Sequence, residues 1–226
     1  MKTERRIRIV MFMIVLAGSV MVGILPRVLN LSQTLKMGIY VGWFFIILLL
    51  AMNINLIWSA WIVKKMNKIG KILLEENDPD RYIEEMNKLL EGTKSAQFEQ
   101  ARLMNIGGAH AAKGDYAKAK EMYSQVKIEK LSSINQLIYW ADMALTHFML
   151  NEKKEACEIM ERQEEQFGEY KENINLKNLL IILDIHWEIA KGNKEEAKNM
   201  IAKYRPEIEN ERNREDFEEL ERRVNL

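Results

Sequence analysis

Hydrophobic and polar positions divide the chain into two apolar runs and a long amphipathic remainder. Ile7 to Leu25 is 19 residues with one charge, Arg8, and it stops at Pro26. Met37 to Val63 is 27 residues with no charge. Each run reaches the roughly 20 residues that a helix needs to cross the hydrocarbon core of a bilayer. Past Val63 apolar residues keep helical spacing (Ile62, Met66, Ile69, Leu73), so the second span is expected to continue as one helix to about Glu76. Asp78 then offers a capping carboxylate and Pro79 a first-turn position for a new helix that runs to Gly92.

Farther on, one pattern recurs. LMNIGGAHAAKGDYAKAKEMYSQV (103–126), WADMALTHFMLNEKKEACEIMERQ (140–163) and IILDIHWEIAKGNKEEAKNMIAKY (181–204) align without gaps. The turns Gly114-Asp115-Tyr116, Asn151-Glu152-Lys153 and Gly192-Asn193-Lys194 coincide. So do Ala119, Ala156 and Ala197, and the large residues Tyr123, Met160 and Ile201. An alanine at that place suits two helices that cross too closely for a longer side chain. The windows are offset by 37 and 41 residues.

These windows resemble the tetratricopeptide repeat, a helix-turn-helix unit of about 34 residues. Gly107, the GDY turn, Ala119, Tyr123 and Trp140 carry the resemblance, which covers roughly Gln97 to Tyr204. The third window departs from it, with Asp184 and Ile185 where the first has Ile106 and Gly107. The expected fold is all-α: the apolar runs give a transmembrane helical hairpin, and the resemblance implies a right-handed α-solenoid of about three helix pairs with capping helices after it. The expected divisions are a two-span hairpin over residues 1–63 and a helical extension and front cap over 64–92. Repeats over 93–205 and a charged capping helix over 206–226 complete the chain.

Charge changes the picture by giving the chain a direction. The formal net charge is zero. Yet residues 1–74 hold ten Lys or Arg against one acid, and residues 75–226 hold 23 bases against 32 acids. Lys2, Arg5, Arg6 and Arg8 precede the first span, and Lys64, Lys65, Lys68 and Lys71 follow the second. The connecting turn has only Arg27 and Lys36, so both outer flanks are expected in the cytoplasm. Trp58 and Trp61 suit the inner interface. The basic start and the small residues Leu16–Ser19 also fit a signal peptide, and the large domain is cytoplasmic under either reading. An acidic domain is a poor partner for nucleic acid.

Ser19 with Gly23, and Gly38 with Gly42, are small pairs four apart in the outer halves of the spans. They are expected to form the seam of the hairpin; contact between copies through Gly38 and Gly42 is the alternative. Asn53 and Asn55 are polar at membrane depth and are expected to find partners inside the protein.

No catalytic constellation is evident. Cys157 is the single cysteine, which excludes an internal disulfide, and it is expected as a buried thiol. His110, His147 and His186 fall at related places in the windows, but stacked units stand about 10 Å apart, too far to share one metal. No cofactor or metal is expected.

In the resembling family, the first helices of the units line an inner face that holds a peptide or partner helix. Carried onto this chain, that face presents Met104, Asn105 and Ala111, then Ile138, Asp142, Leu145 and Phe148, then Ile182, Leu183, His186 and Ile189. Grip on a C-terminal carboxylate needs Lys, Arg and Asn there. Only Asn105 fits, and Asp142 would repel a carboxylate. The implied partner is an apolar peptide or amphipathic helix, unless capping helices fill the face themselves. A membrane-anchored adaptor, or an accessory subunit recognised through the spans, are the functions these features imply.

Overall fold

The computed structural model describes residues 2–225 apart from Lys94 and residues 210–212; the side chains of residues 2–8, Met52, Ile54 and Asn55 also lie outside the described set. All regular structure among the described residues is helical. In chain order the helices are α1 (Lys2–Val28), α2 (Gln33–Glu75), α3 (Pro79–Leu90), α4 (Ala96–Ala112) and α5 (Tyr116–Ser124). There follow α6 (Ser133–Met149), α7 (Lys153–Glu169), α8 (Lys177–Lys191), α9 (Lys194–Ile208) and α10 (Arg214–Asn225). A single 3-10 turn, Ile128–Lys130, joins α5 to α6. The chain divides into two compact units, residues 1–76 with 91–93, and residues 77–90 with 94–226.

The first unit is a helical hairpin. Its two helices near the N-terminus, at Ile9–Val28 and Gln33–Ala51, are long and apolar enough to cross a membrane. Leu25, Ile24 and Val28 on α1 and Phe44, Phe45 and Leu49 on α2 are all exposed, so the outside of the hairpin is apolar. Ser32 starts α2, its hydroxyl accepting the N–H of Leu35. From there α2 is unbroken for 43 residues.

The seam of the hairpin differs from the sequence expectation. The Trp43 indole N–H donates to Ser19 Oγ at 3.0 Å, and Ser19 Oγ donates in turn to the carbonyl of Val15 at 2.8 Å. A Cβ on Gly18 would lie 2.3 Å from the Trp43 ring, so the absence of a side chain at Gly18 admits the indole. Of the expected small pairs only Ser19 takes part. Gly23, Gly38 and Gly42 have no atom within 4 Å of where a Cβ would stand. One wide indole, rather than two grooves of glycine, sets the approach of α1 to α2.

Asn53 is exposed, and its amide donates to the carbonyl of Leu49 on its own helix at 2.7 Å. The Asn55 side chain falls outside the described residues.

The second unit is a succession of antiparallel helix pairs. Asp78 Oδ1 accepts the N–H of Arg81 and caps α3, which packs on α4. The pairs α4–α5, α6–α7 and α8–α9 each pack closely; α5 meets α6 and α7 meets α8. The first helices also meet one another, α4 with α6 and α6 with α8, and α10 closes the order by lying on α8 and α9.

Each pair turns at the same aligned position, in the left-handed region: Gly114 has φ +74°, Asn151 +60° and Gly192 +84°. Glycine and asparagine are the residues that tolerate this conformation, which explains why the turn composition recurs. Ala119, Ala156 and Ala197 are each fully buried at 0 % exposure. Beside them Tyr123, Met160 and Ile201 are buried as well, so the repeated pattern is a repeated helix contact. Glu152 accepts hydrogen bonds from Lys120 at 2.6 Å and pairs with His147 Nδ1 at 2.6 Å. This carboxylate, at the second turn, ties α5 to the join between α6 and α7.

Candidate binding face

The residues carried onto the inner face separate into two groups. Met104, Asn105 and Ala111 on α4, and Ile138, Asp142 and Leu145 on α6, are partly exposed. Positions 138, 142 and 145 are spaced four and three apart, so they share one side of α6.

The second group is covered. Phe148 and His186 are each 2 % exposed and Ile182 is 5 % exposed, so none of the three forms an open groove. The cause is α10. Its apolar side, Phe217, Leu220 and Val224, packs into the same cluster as Ile181, Ile182 and Ile185, with Ile189 half-buried against it. Arg223 from α10 donates to the Phe148 carbonyl at 2.8 Å. The rings of Phe148 and His186 stack at 5.4 Å between centroids. Burial, with a small contribution from Arg223, holds the His186 imidazole down at a pKa of about 3, so it is neutral at physiological pH. The far half of the expected groove is filled by the chain itself.

In the near half, polar groups gather around a glycine. The Tyr123 ring, buried at 1 %, occupies the space where a Gly107 side chain would stand. Its hydroxyl lies 3.7 Å from the Cβ position of Gly108 and hydrogen-bonds the Asp142 carboxylate. From α3, the Tyr82 hydroxyl donates to Asn105 Oδ1 at 2.6 Å, while Asn105 Nδ2 donates to the carbonyl of Ala101. Tyr82 is near enough to Tyr123 to help raise its pKa, although burial is the main cause. Burial also pushes Asp142 up to about 7, with the Tyr123 bond working in the opposite direction.

Tyr82, Gly108 and Tyr123 were not part of the sequence expectation for this face. Tyr123 was legible only as a packing residue, since its ring does pack and its hydroxyl turns to Asp142 beneath the surface. Tyr82 carries no signal in the repeat, because it belongs to the helix in front of it.

The remaining candidates for chemistry are dispersed. His147 is paired with Glu152, and His186 is under α10. Among the described residues no three His, Cys, Asp or Glu side chains are grouped to hold a metal ion. Cys157 is half-buried rather than fully buried, and burial pushes its thiol pKa up, away from the reactive thiolate. The chain matches no known protein-family model, no curated protein and no solved structure.

Proposed function

We propose that the chain is a membrane-anchored scaffold whose cytoplasmic helical pairs, in a tetratricopeptide-like right-handed stack, hold a protein or peptide partner. The bound segment lies on the near half of the inner face, over Met104, Asn105, Ile138, Asp142 and Leu145. The observation that carries this reading is the unequal covering of the face. Phe148, Ile182 and His186 are buried, Ile182 beneath α10, while a mixed apolar and polar strip on α4 and α6 stays partly exposed. The flanking lysines support a cytoplasmic location for both termini, with two spans in the cell membrane.

A second reading is favoured by Asn53, Gly38 and Gly42. These are exposed or open on α2, and an outward polar group at membrane depth suits a partner in the bilayer. Under that reading the chain is an accessory subunit recognised through its spans.

Photo-crosslinking separates the two. The full-length protein would carry p-benzoylphenylalanine at Leu145, at Asn53, or at the exposed Glu165. A discrete adduct at Leu145, absent at Glu165, supports the scaffold reading. An adduct confined to Asn53 supports the subunit reading instead.

A further inference from the structure

On the reading of the near inner face as a docking surface, we infer that it selects a partner segment carrying a Lys or Arg side chain, received by Asp142 between α4 and α6.

Three observations point to a cation. Asp142 is the one charged residue in the accessible strip, flanked along α6 by Ile138 and Leu145. Its side-chain partner is the Tyr123 hydroxyl, which occupies one of the roughly four acceptor positions of a carboxylate. Among the described residues no ion pair includes it, whereas Glu152 pairs with Lys120 and Asp184 with Lys171. A carboxylate held in partly apolar surroundings without a cation is costly in its charged form, and an arriving Lys or Arg relieves that cost. The raised pKa of Asp142 is the signature of the same unmet demand.

The site has room and a further acceptor. Gly108 places no side chain over the Tyr123 oxygen. Asn105, partly exposed on α4, carries a carbonyl oxygen with a lone pair to spare beyond the Tyr82 hydrogen bond, and with the Asp142 carboxylate it matches the several N–H donors of an ammonium or guanidinium. Met104, Ile138 and Leu145 would take the apolar residues of the same segment. Charge over a longer range agrees. Residues 75–226 hold nine more acids than bases, so the unit attracts a basic segment and steers it inward. A second copy of the chain offering its exposed acidic helices would be repelled by the same field.

The test uses full-length protein in neutral detergent on an array of immobilised dodecapeptides. Each peptide has Leu or Ile at i, i+3, i+4 and i+7, and one position filled by Lys, acetyl-lysine or Glu. Wild type is expected to retain the Lys peptides about tenfold more strongly than their acetyl-lysine twins, the usual order for a charge-assisted hydrogen bond. Asp142→Asn, which keeps an acceptor for Tyr123, is expected to abolish that preference. The double variant Glu164→Gln/Glu165→Gln removes exposed charge elsewhere and is expected to retain it. Circular dichroism of each variant verifies folding. A preference that survives Asp142→Asn, equal retention of Lys and acetyl-lysine by wild type, or no retention of any Lys peptide each overturns the inference. Leu145→Lys distinguishes the two levels. Binding lost in Leu145→Lys but indifferent to Asp142 leaves the docking face standing without its cation, whereas binding unchanged by Leu145→Lys overturns the face itself.

Discussion

The Tyr123 ring stands 2.5 Å from the point that a Cβ on Gly107 would occupy, so the first helix pair closes around one aromatic ring and one missing side chain. Tyr123 is 1 % exposed and in edge contact with Tyr139, which leaves it nowhere to shift. Gly107→Ala is therefore expected to destabilise the second unit by about 1–3 kcal/mol, the usual cost of overpacking. Thermal melts followed at 222 nm check it. Adding Tyr123→Leu to Gly107→Ala should recover part of the loss, and a purely additive double variant would contradict the steric account.

The three turns predict a loss for alanine at each and little change for glycine at Asn151. Gly114 and Gly192 lie at positive φ with nothing around a Cβ position, so replacement by Ala costs backbone strain alone, about 1 kcal/mol. Asn151 has the same conformation with a side chain. Asn151→Gly is expected to be near neutral, and Asn151→Ala to resemble Gly114→Ala. Melting temperatures of the four variants provide the comparison.

The N-terminal hairpin offers a sharper contrast. Gly18→Leu would drive a side chain into the Trp43 ring, whereas Gly38→Leu and Gly42→Leu meet no atom. Engineered cysteine pairs across α1 and α2 should crosslink in wild type, Gly38→Leu and Gly42→Leu, and lose crosslinking in Gly18→Leu. Loss of crosslinking in the Gly42 variant would return the seam to the glycine pair.

Two titrating groups act on stability in opposite directions. Burial lowers His186 from about 6.5 in the unfolded chain to about 3. The unfolded state then binds more protons, so this contribution is complete above pH 6.5 and is lost as pH falls toward 3, by about 1.4 kcal/mol per pH unit. Burial raises Asp142 from about 3.9 to about 7. Here the folded state holds the proton, so its contribution is complete below pH 4 and is lost as pH rises toward 7, with the same slope. Asp216, also raised by burial, to about 6, has the Asp142 sign over a shorter range. Relative to wild type, Asp142→Asn should gain stability steadily from pH 4 to pH 7. His186→Leu should gain as pH falls from 6.5. Melts across pH 4 to 7.5 read both, and parallel curves for wild type and variant would contradict them.

Much of the helical order was open to sequence reading because the constraints are local. A left-handed turn needs Gly or Asn, a close crossing needs Ala, and both leave marks at Gly114, Asn151, Gly192, Ala119, Ala156 and Ala197. The apolar runs identified the hairpin helices for the same reason. What escaped was the direction each face takes. The pairs Ser19–Gly23 and Gly38–Gly42 show where helices are permitted to approach, but the rotation of α2 that turns Trp43 toward Gly18 depends on the partner helix. Phe217, Leu220 and Val224 mark a buried stripe on α10 without saying which surface buries it. That surface is the end of the expected groove around Ile182, so the sequence left open whether the face is free or filled by a capping helix. The polar cluster at Gly108 was hidden because Tyr82 reaches it from outside the repeated windows.

The last helix also limits growth. A stack of helix pairs ends in a face that matches the start of another pair, and such a face on every molecule is a recipe for linear polymers. Here α10 presents apolar residues inward to Ile182 and Ile201, and charged ones, Glu215, Glu218 and Arg222, outward. Beyond the third pair it presents a charged surface in place of an apolar one, which disfavours end-to-end joining of separate molecules.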